Sequence, residues 1–150
     1  MNFVVGFLLL ADFDERTAYE LLIIFVEKIM PPDYFTEQLF GLHVDQEVMQ
    51  EVLKTQLPRL AAHLRKHQIP ISLATMNWLL TAFVSVLPTH VCLRVWDLFF
   101  FHGNQALFWV SLALFKLMED VILHMDNSGE IYTMVNLLPS PPLPIIFLFS

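Results

Sequence analysis

Two histidines have the spacing of a metal site. His63 and His67 stand four residues apart in a predicted helix, so both imidazoles would project from the same face and could bind one metal ion. Arg65 and Lys66 lie between them, however, and no carboxylate stands beside them. The sequence therefore favours a solvated basic helix face over a metal centre.

The single cysteine is the next candidate for chemistry. Cys92 follows His90 by two residues, and residues two apart on a helix point in different directions, so the imidazole could not serve as a base for the thiol. One cysteine also excludes an internal disulfide, which favours a reducing, cytoplasmic setting.

The sequence also contains no pattern of a phosphate-binding loop or of an acid–base pair. The four glycines form neither a G-x-G nor a G-x-x-x-x-G-K pattern, which a phosphate-cradling loop requires. The carboxylates are spread over predicted surfaces and do not pair in apolar surroundings, as an acid–base couple would. We therefore predict no catalytic residue, no metal and no cofactor.

The elements that would position such residues are helices almost throughout. Caps, prolines and apolar spacing predict their limits. The first three predicted helices run from an Asp14 cap to Met30, from an Asp45 cap along the surface, and from Pro58 to Lys66. The next three run from a Ser72 cap to Val86, from Pro88 to Phe101 with Gly103 as its end, and from about Asn104 to Met125. Strand signals are weak and no linker divides the chain, so we expect one all-α domain.

The end of the chain has a different character. From Asn127 the helical pattern lapses, and "LPSPPLPIIFLFS" combines polyproline geometry with apolar residues. We expect residues 127–150 to form a divergent, Pro-rich and poorly ordered tail. A Pro-x-x-P ligand for an SH3 domain is the alternative, although no Arg or Lys lies nearby to orient it.

Composition points to an apolar surface that needs covering. Hydrophobic residues make up 56% of the chain and charged residues 15%, against about 45–50% and 25% in ordinary globular domains. A partner, a membrane, self-association or a missing segment could each account for this excess. The net charge of −7 with eight Lys and Arg argues against binding to nucleic acid.

Membrane interpretations are weaker. Residues 1–10 carry no Lys or Arg and run into Asp12, unlike a signal peptide. Residues 67–93 lack charged side chains over a length that could span a bilayer, but Pro70, Pro88 and several polar residues divide them into two shorter soluble helices. Residues 98–115 are interrupted in the same way. We therefore expect no direct membrane span, with a polytopic membrane protein as the alternative.

One stretch has a distinctive pattern, "LRVWDLFFFHG" at residues 93–103. Arg94 and Asp97 stand three apart on one helical face, while Leu93, Trp96 and Phe100 are predicted to pack inward. The pattern indicates a helix that is anchored by an aromatic side chain and a charge pair.

Three segments together resemble a known family. "LRVWDLFFFHGNQALFWVSLALFKL", "MPPDYFTEQLFGLHVDQEVMQEVLKTQLPRLAAHL" and "SLATMNWLLTAFVSVLP" closely resemble the second half of the TBC domain found in GTPase-activating proteins for Rab small GTPases. The resemblance covers residues 1–126 and implies a helical array like the C-terminal lobe of that domain. His102 replaces the acidic residue that is common before the glycine. The resemblance implies mainly structural roles for Trp78, Arg94, Val95, Trp96, Asp97 and Gly103.

The resemblance also bears on catalysis. TBC domains supply a glutamine from Tyr-x-Gln-Gly-Met-Asn and an arginine from Ile-x-x-Asp-x-x-Arg. Met1 and Asn2 resemble the end of the first motif, so we expect them to face the GTPase. The 150 residues contain neither Asp-x-x-Arg nor Tyr-x-Gln.

The resemblance therefore implies a truncated isoform rather than an enzyme, with a Rab-type small GTPase as partner and little GTPase-activating activity alone. It implies a cytoplasmic protein of vesicle trafficking, held at the periphery of endomembranes through Rab. A Rab-binding or scaffold module without catalysis is the alternative.

Overall fold

The computed structural model describes residues 2–137, and every regular element in this range is a helix. The all-α prediction is confirmed. The helices are α1 (Asn2–Leu10), α2 (Glu15–Ile24), α3 (Phe40–Gln56), α4 (Pro58–Lys66), α5 (Ile71–Leu80), α6 (Thr89–His102), α7 (Gln105–Leu123) and α8 (Ser128–Leu137), with a π-helical turn at Phe25–Ile29 directly after α2.

Local signals predicted several helix ends correctly. The Asp14 carboxylate caps α2, accepting the Thr17 backbone N–H at 2.9 Å and the Thr17 hydroxyl at 2.8 Å. These hydrogen bonds lower the pKa of Asp14. Pro58 occupies the first turn of α4, where a missing N–H costs nothing. Gly103 ends α6 with a φ of +71°.

The prediction that Asp45 caps a helix is wrong. Helix α3 begins five residues earlier at Phe40, after Leu39 in a left-handed conformation, and Asp45 is buried within it. The early start depends on Gly41, because a Cβ there would lie 2.8 Å from the Pro32 carbonyl oxygen. The preceding loop therefore packs against the first turn of α3.

The predicted Ser72–Val86 helix is also wrong at both ends. Helix α5 starts at Ile71, and the Ser72 carbonyl accepts a hydrogen bond from Gln46 Nε2 at 2.8 Å instead of the Ser72 side chain capping the helix. The helix ends at Leu80, because Ala82 and Phe83 both adopt positive φ, 46° and 64°.

Helix α8 corrects the expectation that helical structure lapses from Asn127. The Asn127 Oδ1 atom accepts hydrogen bonds from the backbone N–H groups of Gly129 and Glu130, at 2.8 and 3.3 Å, as an N-cap does. Ile131 and Val135 are buried. The rest of the predicted tail, residues 138–150 with the Pro-x-x-P segment, lies outside the described residues and stays a prediction.

The helices enclose one apolar core. Helix α3 packs along α4 and α5, α6 along α7, and α4 and α5 also contact α7. Burial of each large side chain contributes about 1.5–3 kcal/mol relative to exposure. The largest fully buried side chains include Trp78, Tyr34, Phe25, Phe83, Phe99 and Phe115.

Within residues 2–137, no helix combines the length and apolar character needed to cross a membrane.

Candidate functional site

Trp96 lies at the centre of the distinctive helix α6 and connects three other segments. Its side chain is buried, and the indole Nε1–H donates a hydrogen bond to the Ala82 carbonyl at 3.2 Å. The Phe25 ring stacks on it at 4.8 Å, and the Phe7 ring lies 5.4 Å away. One indole therefore holds α1, the π-helical turn and the α5–α6 turn together.

The α5–α6 turn that receives this hydrogen bond has a strained backbone. Ala82 and Phe83 are consecutive left-handed residues and both are fully buried. Such a conformation costs of order 1–3 kcal/mol for each residue that is not glycine. The Phe83 N–H donates to the Trp78 carbonyl at 2.8 Å, and together with the bond from Trp96 this holds the turn in place.

Arg94 and Asp97 lie on the outer face of α6. Arg94 Nη1 is 3.6 Å from Asp97 Oδ2, and the two side chains are 74% and 71% exposed. An ion pair this exposed contributes about 0–1 kcal/mol, so the pair belongs to the surface of one helix. Leu93 and Phe100, predicted to pack inward with Trp96, are each more than a third exposed.

The remaining motif positions lie in the core or at a helix end. Val95 and Trp78 are fully buried, and the Trp78 ring lies 5.0 Å from that of Phe115. The Gly103 N–H donates to the Phe99 carbonyl at 2.9 Å and closes α6. These positions support the helices and do not face solvent as a reactive group would.

The outer side of α1 is an exposed apolar surface. Phe3 and Leu10, seven residues apart on one helix face, are 64% and 81% exposed, whereas Val4, Phe7 and Leu8 point into the core. We call these exposed side chains, Phe3, Leu9 and Leu10 of the helix and Phe13 just after it, the α1 face. Large exposed apolar side chains are a feature that interaction sites share.

Met1 lies outside the described residues, and Asn2 is the first residue of α1. The expectation that these two residues face a GTPase therefore stays a prediction.

The two histidines are not a solvated basic face. Both are half-buried, their rings lie 4.5 Å apart, and His63 Nε2 lies 3.0 Å from the Met125 carbonyl. The His67 carbonyl accepts a hydrogen bond from the Ser128 hydroxyl at 3.2 Å. The pair ties α4 to the α7–α8 connection. No group of three metal-ligating side chains occurs within residues 2–137.

Cys92 is a buried thiol. Burial raises its pKa to about 12, although the neighbouring Trp96 side chain counteracts part of the shift. A thiol held in its neutral form is neither a nucleophile nor a metal ligand.

Sequence reasoning missed a buried polar pair between the loop before α3 and α3 itself. The Tyr34 hydroxyl and Asp45 Oδ2 are both buried, and within the described range neither makes a hydrogen bond of good geometry, although the two groups are close enough to influence each other's pKa. Burial raises the pKa of Asp45 to about 6, and the nearby Tyr34 hydroxyl offsets part of that shift. Burial, together with the Asp45 charge, raises the pKa of Tyr34 as well. No local pattern signals this pair.

Comparison with known proteins gives a consistent result. The family model described as Rab-GTPase-TBC domain matches residues 1–123. The chain is 42% identical to TBC1 domain family member 2A of Homo sapiens over 132 residues, which cover 88% of the chain and 14% of that protein. It is 36% identical to Small G protein signaling modulator 3 of Bos taurus over 137 residues, 91% of the chain and 18% of that protein.

A solved structure shares the fold. The crystal structure of the Chlamydomonas flagellar RabGAP TBC domain superposes with a TM-score of 0.81 and 32% sequence identity, covering 91% of this chain and 45% of that one. The chain thus spans less than a fifth of the two relatives and under half of the solved domain.

Proposed function

This chain belongs to the Rab-GTPase-TBC domain family, and from that membership we propose that it is the C-terminal part of a GTPase activator for a Rab-type small GTPase. The observation that carries the proposal is the family match over residues 1–123 together with the shared fold. The family regulates an enzyme and is not itself one. Membership does not favour the polytopic membrane alternative.

We also propose that these 150 residues alone accelerate GTP hydrolysis only slightly. An activator that supplies an arginine to the transferring phosphoryl group gains about 10³–10⁵ in rate. None of the four arginines follows an aspartate by three residues. Arg16 pairs with Glu20 at 3.0 Å, and Arg94 pairs with Asp97, each within its own helix. This arrangement supports surface roles for both.

We propose a location for the chain as well. A Rab partner would bring it from the cytoplasm to the periphery of endomembranes, where it takes part in vesicle trafficking. Met1 and Asn2 are the positions that we propose face the GTPase.

A second candidate is a Rab-binding or scaffold module without catalysis. The α1 face favours it, since Phe3 and Leu10 are exposed apolar side chains on the helix that begins at the proposed GTPase-facing Asn2. Such side chains supply binding energy when a partner removes them from water.

A single-turnover GTP hydrolysis assay over a panel of Rab proteins tests the catalytic part. We expect the full chain to leave the rate within about tenfold of the intrinsic rate, because the arginine contribution of about 10³ or more is missing. Acceleration of GTP hydrolysis well beyond tenfold for any Rab of the panel would contradict this expectation.

Calorimetric titration on the same panel tests binding. We expect Leu10→Asp to weaken binding, and Val121→Asp, a comparable change at an exposed position on α7, to leave it unaltered. Equal effects of both variants, or no heat of binding with any Rab, would rule out the α1 face as the Rab contact.

A further inference from the structure

The charges of the chain are strongly segregated. Residues 52–96 contain no Asp or Glu, whereas the whole chain has fifteen and a net charge of −7. The same segment holds five of the eight Lys and Arg residues, namely Lys54, Arg59, Arg65, Lys66 and Arg94. Three of these five cations belong to α4, so an acidic chain carries a locally positive helix, of the kind that attracts anionic ligands.

Helix α4 concentrates this charge. Leu60 and Leu64 anchor its inner side in the core, while Arg59, Arg65 and Lys66 are exposed on the outer side. Of the ion pairs among residues 2–137, none involves these three cations.

Lys54, on the neighbouring α3, pairs only with the exposed Glu51, at 2.6 Å. An exposed pair three residues apart is weak, so the ammonium group stays available to a ligand.

A groove lies beside these charges, between the second half of α3, α4 and the α4–α5 loop. Its volume is about 560 Å³, within the range of ligand sites. Lys54 and Arg65 stand at its edge with Gln50 and Gln68. The apolar lining consists of Pro58, Ala61, Ala62, Leu64, Ile69, Pro70 and Ile71.

A second groove of about 460 Å³ continues the first between α3 and α5. The two share Gln50 and Pro70, and the second adds apolar lining from Leu73 and Met76. Glu47 is the only carboxylate among the lining residues of either groove, and it lies in the second. The combined cleft carries its positive charges at the α4 end, where its lining is mostly apolar, whereas polar side chains predominate in the second groove.

We propose that this cleft binds an acidic peptide segment of a partner protein. Carboxylates of the peptide pair with Lys54 and Arg65, its apolar side chains lie on the proline and isoleucine lining, and Gln50 and Gln68 hydrogen-bond its backbone. Glu47 repels carboxylates, so the acidic part of the peptide lies at the α4 end. A concave site fits a peptide chain better than a flat lipid surface. The site uses α3, α4 and α5 and is separate from the α1 face.

Fluorescence anisotropy with the full chain tests the proposal. The probe is a fluorescein-labelled peptide of three Glu-Leu-Pro-Glu repeats, and the comparison peptide has Gln at every Glu. We expect K54Q/R65Q to weaken binding of the Glu peptide by about tenfold, since two exposed ion pairs are lost. The matched control is R59Q/K66Q, which removes the same charge from α4 outside the groove, and we expect a change below about threefold.

A third variant tests the groove itself. Ala62 is an exposed lining residue, so Ala62→Glu puts a carboxylate in the cleft without disturbing the core, and we expect it to abolish binding. Circular dichroism and thermal unfolding should be the same for all variants.

Several results would overturn the proposal. Equal losses in the two double variants would mean unspecific attraction, and equal binding of the Gln peptide would mean that charge does not matter. Cosedimentation with vesicles containing phosphatidylserine, reduced equally by both double variants and without binding of the Glu peptide, would assign the basic surface to a membrane.

Discussion

At the scale of single residues, Asp45 is the most informative side chain. Its carboxyl group lies in the interior of α3 beside the Tyr34 hydroxyl, and burial raises its pKa from 3.8 to about 6. At a pH below both pKa values, Asp45 is protonated in the folded and in the unfolded protein, so no charge is buried on folding and no stability is lost. Stability is therefore lost as pH rises from about 4 to about 6, and the loss persists at neutral pH.

Replacement of Asp45 by Asn removes this titration. We expect Asp45→Asn to raise the free energy of unfolding at pH 7 by about 1–3 kcal/mol, since each pKa unit corresponds to about 1.4 kcal/mol. Urea unfolding at pH 4 and pH 7 measures it, and the gain should shrink at pH 4. Asp97→Asn, the same substitution at an exposed position, is the control for the chemical change itself. A destabilised D45N at pH 7 would mean that the carboxylate is stabilised by its surroundings.

At the scale of elements, Gly6 and Gly103 have opposite roles. Gly103 ends α6 with φ +71° and ψ −156°, a region that is essentially restricted to glycine. Gly6 is inside α1, and a Cβ there would meet no atom within 4 Å.

We expect Gly103→Ala to lower the free energy of unfolding by about 1–3 kcal/mol. Gly6→Ala, the same chemical change in a helix interior, should raise it by up to about 1 kcal/mol. Urea denaturation of both variants measures the difference. Effects of the same sign would mean that backbone conformation is not the cause.

The elements also show how far local sequence signals reach. The Asp14 cap, Pro58 in a first turn and Gly103 at a helix end act within one turn of the chain, so sequence alone identifies them. The end of α5 carries no such signal, because "LLTAFVS" contains no glycine or asparagine to mark the left-handed Ala82. A hydrogen bond from Trp96, fourteen residues away, stabilises that turn.

The candidate sites divide in the same way. The α6 motif identifies Trp96 as a core anchor, and the structure adds its contacts with Phe7 and Phe25. The sequence did not predict the contacts of the histidine pair, because the Met125 carbonyl that His63 contacts is 62 residues away in sequence. The groove beside α4 was likewise not predicted, since its lining comes from three helices that only folding brings together.

At the scale of the whole molecule, part of the large apolar content of the chain is exposed at the surface. Leu10 on α1 and Phe101 on α6 are more than 80% exposed, and large apolar patches favour association. We expect sedimentation velocity to show association of the full chain at tens of micromolar.

The variant L10E/F101E should shift this association toward monomer. V44E/V48E, with two exposed apolar residues of α3 changed instead, is the matched control and should not shift it. A monomer at every concentration would contradict the expectation, and equal shifts in both variants would place the contact elsewhere.

The burial of the tryptophans has an optical consequence. Trp78 and Trp96 are enclosed in the core, whereas Trp109 is about half exposed on α7 and lies 5.0 Å from the His102 ring. Acrylamide in solution would therefore quench the Trp109 emission first and reach the other two indoles only when the helices separate. The chain thus contains its own fluorescent reporters, one for events at the surface and two for the integrity of the interior.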